Sequence, residues 1–149
     1  MTENEINQVI EIDASAEKIF NAISDPQELT NWFPDAATLE PEVGGAFKLS
    51  FLKDSEKPKM KMDRDFINEG KVLEIIQNKK LVHTWQWMEF TDFPETIVTW
   101  ELEPTRDNTT RLTLTHTGFT GKEKGPASLE EHNKGWSFFL NELISYCKK

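Results

Sequence analysis

Ile6, Ile10 and Ile12 fall on one parity of a short segment, with polar Gln8 interrupting the series. Period two and β-branched side chains predict a strand there. The period then changes. Ser15 reads as a helix N-cap with Ala16 and Glu17 in the first turn, and Ile19, Phe20 and Ile23 form an apolar face. A second start follows at once: Asp25 caps, Pro26 takes the first helical position, and Glu28 completes a capping box. Leu29, Trp32 and Phe33 give that piece its apolar face, and Pro34-Asp35 stops it. Two short helices in series are predicted.

From residue 36 to residue 117 the period returns to two. Phe47, Leu49 and Phe51 alternate with Lys48 and Ser50; Leu81, His83, Trp85 and Trp87 alternate with Val82, Thr84 and Gln86. Val98, Trp100 and Leu102 form a third series, and Leu112, Leu114 and His116 a fourth. Gly44-Gly45, Asn78-Lys79, Pro94-Glu95 and Asp107-Asn108 punctuate them. Short gaps favour antiparallel hairpins, and clean alternation gives one packed face and one wet face. A parallel sheet would need helices between strands, and this stretch predicts none.

The last segment, from about Ala127 to Tyr146, returns to helical spacing. Ser128 and Glu131 match a capping box. Leu129, Asn133, Trp136, Leu140, Leu143 and Cys147 recur at steps of four and three, widened by His132, Phe139 and Ile144. Twenty helical residues reach ~30 Å, enough to lie across a whole sheet. The element order therefore predicts an α+β fold in which a curved antiparallel sheet grips a long C-terminal helix, with two short helices after the first strand. Residues 1–149 are expected to form a single domain.

Five Trp and ten Phe against one Tyr supply a substantial core, which excludes wholesale disorder. A net charge of −9 repels phosphate backbones and anionic lipid, so neither nucleic acid nor a membrane surface is an expected partner. The start Met1-Thr2-Glu3-Asn4-Glu5 lacks the basic and apolar regions of a signal peptide, and no apolar run approaches the ~20 residues of a membrane span. A cytoplasmic location is expected. Cys147 is the single cysteine, so there is no internal disulfide.

Candidate chemistry is sparse. His83, His116 and His132 are the three histidines, and no pair has metal-binding spacing on one helix. Parity sends all three inward, where they serve either as satisfied polar groups or as donors to a ligand; no metal or cofactor is expected. Cys147 is followed by two lysines that would lower its pKa, but no histidine stands near it in sequence. Gly44-Gly45 lacks the motif of a phosphate loop and reads as a tight turn into the strand bearing Phe47. The Lys53–Arg64 stretch sums to +2 in an acidic chain, reading as a solvated hairpin tip or as a cover at a pocket mouth.

Aromatic placement is the most informative feature. Phe47, Phe51, Trp85, Trp87 and Trp100 come from strands, and Trp136 and Phe139 from the long helix. A bent sheet against one helix leaves a wedge that rings either fill or line. With Leu140 and the polar groups His83, His116, His132 and Asn133, these residues form the expected ligand-pocket set.

The chain resembles the activator of Hsp90 ATPase homologue 1-like group of the START/Bet v 1-like superfamily. The likeness is carried by 12–20 (Ile-Asp-Ala-Ser-Ala-Glu-Lys-Ile-Phe), Asp25-Pro26 with Leu29 and Trp32-Phe33, and Gly44-Gly45-Ala46-Phe47. It continues through 70–75, 80–85, 110–119, His132, Gly135-Trp136 and Leu140. The resemblance implies a helix-grip fold of six or seven antiparallel strands, with a space between sheet and helix that the superfamily uses for small apolar molecules. It implies no catalytic set; His83 and His116 are the candidates for a cyclase- or hydrolase-type reaction, as a further alternative. The chain matches the C-terminal type of domain of two-domain Hsp90 activators, so an Hsp90 partnership is not expected to carry over. The expected partners are a small hydrophobic molecule or, alternatively, a protein in a co-chaperone-like interaction. The chain itself is expected as a monomer or homodimer.

Overall fold

Local signals set the ends of the first elements. In the computed structural model, which describes residues 4–53, 64–90 and 92–148, β1 (Ile6–Ile12) leads into α1 (Ala16–Ser24). Ser15 caps α1 by accepting a hydrogen bond from the Lys18 amide at 3.1 Å. Asp25 caps α2 (Pro26–Leu29) through the Gln27 amide at 2.9 Å. The reciprocal arm of a capping box does not form, because the Asp25 amide is already donated to the Asn21 carbonyl. The Glu28 carboxylate instead accepts from Tyr146 Oη at 3.1 Å, tying α2 to the end of the last helix. Trp32 and Phe33 lie beyond α2 rather than on it, and both are buried.

The strands that follow are β2 (Ala36–Leu39), β3 (Ala46–Phe51), β4 (Phe66–Ile76), β5 (Lys80–Trp87), β6 (Thr96–Arg106) and β7 (Thr109–Thr117). They join β1 in one seven-stranded sheet of order β1-β7-β6-β5-β4-β3-β2, antiparallel at each pairing. Gly44 turns into β3 at a φ of +86°, and a side chain at Gly45 would strike the Glu40 carbonyl. Alternation along the chain exposed neither β2, which is four residues long, nor β4, whose pairing with β5 shifts by one residue between Val72 and Glu74. Most of the Lys53–Arg64 stretch lies outside the described residues.

A 3₁₀ turn (Gly125–Ala127) precedes α3 (Leu129–Cys147), which lies in the concave face of the sheet. Ser128 Oγ accepts from the Glu131 amide at 3.1 Å. Its own amide is spent on Gly125, and the Glu131 carboxylate faces Lys134 at 3.3 Å, so this box too is half made. Trp136, Phe139, Leu140 and Leu143 pack inward against Leu49, Leu81, Val98, Trp100, Leu112 and Leu114 from the strands. Ile19, Phe20, Ile23, Leu29 and Phe33 belong to the same core. Asn133 departs from its expected inward position. It is exposed, and its Oδ1 accepts from Gln8 Nε2 on β1 at 2.8 Å; Ser137 Oγ accepts from the same amide at 3.1 Å. A polar residue one position past His132 rotates out of the apolar stripe and fastens the helix to the edge strand. This is the helix-grip architecture, with seven strands. Among the described residues no helix is long and apolar enough to cross a membrane.

Candidate functional site

Tryptophan and histidine pair throughout the concave face. Trp100 Nε1 donates to His83 Nε2 at 3.0 Å, and Trp136 Nε1 donates to His116 Nδ1 at 3.0 Å. His132 Nε2 receives both Trp87 Nε1 at 2.8 Å and Trp85 Nε1 at 3.4 Å. The fifth indole, Trp32, donates to the Ala22 carbonyl at 2.8 Å. An acceptor at one ring nitrogen fixes the proton on the other. His83 therefore donates from Nδ1 to the Thr84 carbonyl at 2.9 Å, and His132 donates from Nδ1 to the Ser128 carbonyl at 2.9 Å. Thr96 Oγ1 donates to the Trp85 carbonyl at 2.7 Å, so His116 Nε2 donates to that hydroxyl at 2.8 Å.

All three imidazoles are held neutral. Burial lowers His83 to about 4, against the opposing pull of the Thr84 carbonyl. Burial also lowers His132 to about 4, opposed by Ser128 and by the charge of Glu123. Burial and the neighbouring rings of His132 and His83 hold His116 well below the usual histidine range. His83 and His116 are fully buried with both ring nitrogens engaged, which leaves neither a nitrogen for proton transfer. Cys147 is also buried, and burial pushes its thiol up to about 11 despite the charge of Lys18; the lowered pKa expected from the flanking lysines is not found. Among the described residues no group of three His, Cys, Asp or Glu side chains could hold a metal ion.

Beside this network a cavity of about 160 Å³ opens between the sheet and the first half of α3. Phe51, Phe66, Trp85 and Trp87 line it from the strands, and Glu131, His132, Gly135, Trp136 and Phe139 from the helix. Phe33, Phe90 and Pro126 complete the wall, with exposed Glu131 and Pro126 at its mouth. Phe33 is its packing centre, 4.8 Å from Phe139, 5.5 Å from Phe51 and 5.6 Å from Trp136 between ring centroids. The five indoles form one chain across the core: Trp87 to Trp85 at 5.3 Å, Trp136 at 5.1 Å, Trp100 at 5.5 Å and Trp32 at 6.4 Å.

Six residues of the expected pocket set stand in this wall: Phe51, Trp85, Trp87, His132, Trp136 and Phe139. Phe47, His83, Trp100, His116 and Leu140 are buried in the packed core instead, Phe47 stacking on His83 at 3.7 Å. Asn133 is on the outside. Phe33, Phe66, Phe90 and Glu131 escaped the reading of the sequence. Phe33 looked like part of a helix face, Phe66 begins the strand that alternation missed, and Glu131 had a sufficient role in the first helical turn.

Residues 13–148 match the family described as "Activator of Hsp90 ATPase homolog 1-like protein". No curated protein matches the chain. Among solved structures, protein CV1439 from Chromobacterium violaceum superposes with a TM-score of 0.80 at 22% identity, covering 98% of each chain. PFC0360w, an HSP90 activator from Plasmodium falciparum, gives 0.74 at 24% identity, covering 95% of this chain and 94% of that one. The Aha1 dimer from Colwellia psychrerythraea gives 0.71 at 24% identity, with 96% and 95% covered. At these identities the likeness to the three structures is one of fold.

Proposed function

The chain belongs to the activator of Hsp90 ATPase homolog 1-like family, and on that footing we propose that it binds a small apolar molecule in the cavity between sheet and α3. The observation that carries this reading is the ring-lined space of about 160 Å³ between the sheet and α3. Gly135 supplies the test. It lies in the wall, and a Cβ built on it meets nothing within 4 Å. Gly135→Leu is expected to fill the space and abolish saturable binding of a fluorescent apolar probe, with the helix intact by circular dichroism. Equal binding by wild type and variant would overturn the reading.

A co-chaperone-like module is the second reading, favoured by the family's description. It requires that the purified chain change the ATPase rate of Hsp90, and an unchanged rate at saturating concentration sinks it. A cyclase or hydrolase using His83 or His116 is not favoured, because hydrogen bonds occupy both nitrogens of each ring.

A further inference from the structure

The cavity has a chemical polarity that its apolar walls conceal. Trp85, Trp87 and Trp136 present rings to it; the Trp87 and Trp136 N–H groups are spent on His132 and His116, and the Trp85 N–H is directed at the same His132 nitrogen at 3.4 Å. His132 has donated its one proton to Ser128. The side-chain amide nitrogen of Asn68, buried without a partner, is sealed from any solvent-sized space, and Asn68 is not in the wall. Among the described residues no wall side chain therefore offers a hydrogen-bond donor that is not already directed at a histidine or, for His132 itself, at Ser128, whereas the π faces and the Glu131 carboxylate at the mouth are all electron-rich. Among the described residues an acid or a carbonyl compound would find no uncommitted donor in the wall, and the Lys134 ammonium beside the mouth is already held by Glu130 and Glu131.

Resting on the reading of this space as a ligand cavity, we propose that its occupant is a small arylalkylammonium ion: one aromatic ring inside, and the cationic nitrogen at Glu131. Size agrees, since a cavity of about 150 Å³ admits a single benzene ring. Charge agrees as well, because the chain carries −9. Lys134 is the present partner of Glu131 at 3.3 Å, and it also reaches Glu130 at 3.5 Å. An incoming ammonium can thus take Glu131 while Lys134 keeps a carboxylate. A wall ring already accepts a cation from this chain, for the Arg64 guanidinium carbon lies 5.8 Å from the Phe66 centroid.

Three probes of one skeleton test the proposal: 2-phenylethylammonium, 2-phenylethanol and 3-phenylpropanoate, titrated against the indole N–H resonances. Trp87 and Trp85 are expected to shift and Trp32 to stay, with affinity in the order ammonium, alcohol, carboxylate. Glu131→Gln is expected to weaken the ammonium about fivefold, the size of an exposed ion pair, and to leave the alcohol unchanged. If the alcohol binds as tightly as the ammonium, or the carboxylate binds best, the cationic preference is wrong while the cavity reading stands. If the Gln variant binds the ammonium as well as wild type does, Glu131 is not its partner and the proposal falls. If none of the three binds, the cavity reading itself falls with it.

Discussion

Each buried indole–imidazole pair is a matched donor and acceptor, and its value shows when one half is removed. Trp100→Phe keeps most of the ring volume but leaves His83 Nε2 buried without its donor. The expected loss is about 1–3 kcal/mol, read as a lower urea midpoint. Phe33→Ala should cost more, about 3–5 kcal/mol, because it empties the centre of the aromatic cluster. Cys147 gives a chemical check. With its thiol raised to about 11 and its side chain buried, alkylation by iodoacetamide at pH 8 should be far slower than in urea. Equal rates would mean that the end of α3 is not packed as described.

At the scale of elements, α3 carries two separable predictions. Ser128→Ala removes the cap bond to the Glu131 amide and should destabilise by about 1 kcal/mol. Gly135→Ala places a methyl group in open space on a helix and should stabilise by about 0.5–1 kcal/mol, raising the melting temperature. Elements with strong periodicity and caps were legible in the sequence: β1, α1, α3 and the strands bearing Leu81, Val98 and Leu112. β4 was not, because its shift against β5 between Val72 and Glu74 interrupts the alternation on which such reading depends, and because its inward Asn68 is polar. The site was half legible for the same reason. Parity identified inward rings but not which of them border space, since that depends on how far the sheet bends from α3. Thus Phe47 and Phe51, two strand neighbours on one face, end respectively in packed core and in the cavity wall.

For the whole molecule, the three neutral histidines govern behaviour in acid. Their unfolded pKa is about 6.5 and the folded values of His83 and His132 are about 4, with His116 also depressed. Above pH 6.5 both states leave these rings unprotonated and stability is full. Between pH 6.5 and about 4 the unfolded chain binds protons that the folded one refuses, so stability falls as pH falls. Two and a half pH units correspond to on the order of 3 kcal/mol for each of His83 and His132, a large share of a typical total of about 5–15 kcal/mol. Relief of the −9 charge acts the other way, but carboxylates protonate mostly below about pH 5, in the lower part of this window. The urea midpoint should therefore drop steeply between pH 6.5 and 5, and a flat profile would contradict the neutral-imidazole core.

The unbroken file of five indoles has an optical consequence. Neighbours 5.1–6.4 Å apart are close enough to pass excitation along the file, so light absorbed by one indole is expected to emerge from another. A quencher touching Trp87 should dim light absorbed as far away as Trp32, and the same coupling should appear as paired bands of opposite sign in circular dichroism. The protein thus carries an intrinsic, label-free reporter that spans its interior from the cavity to the first helices.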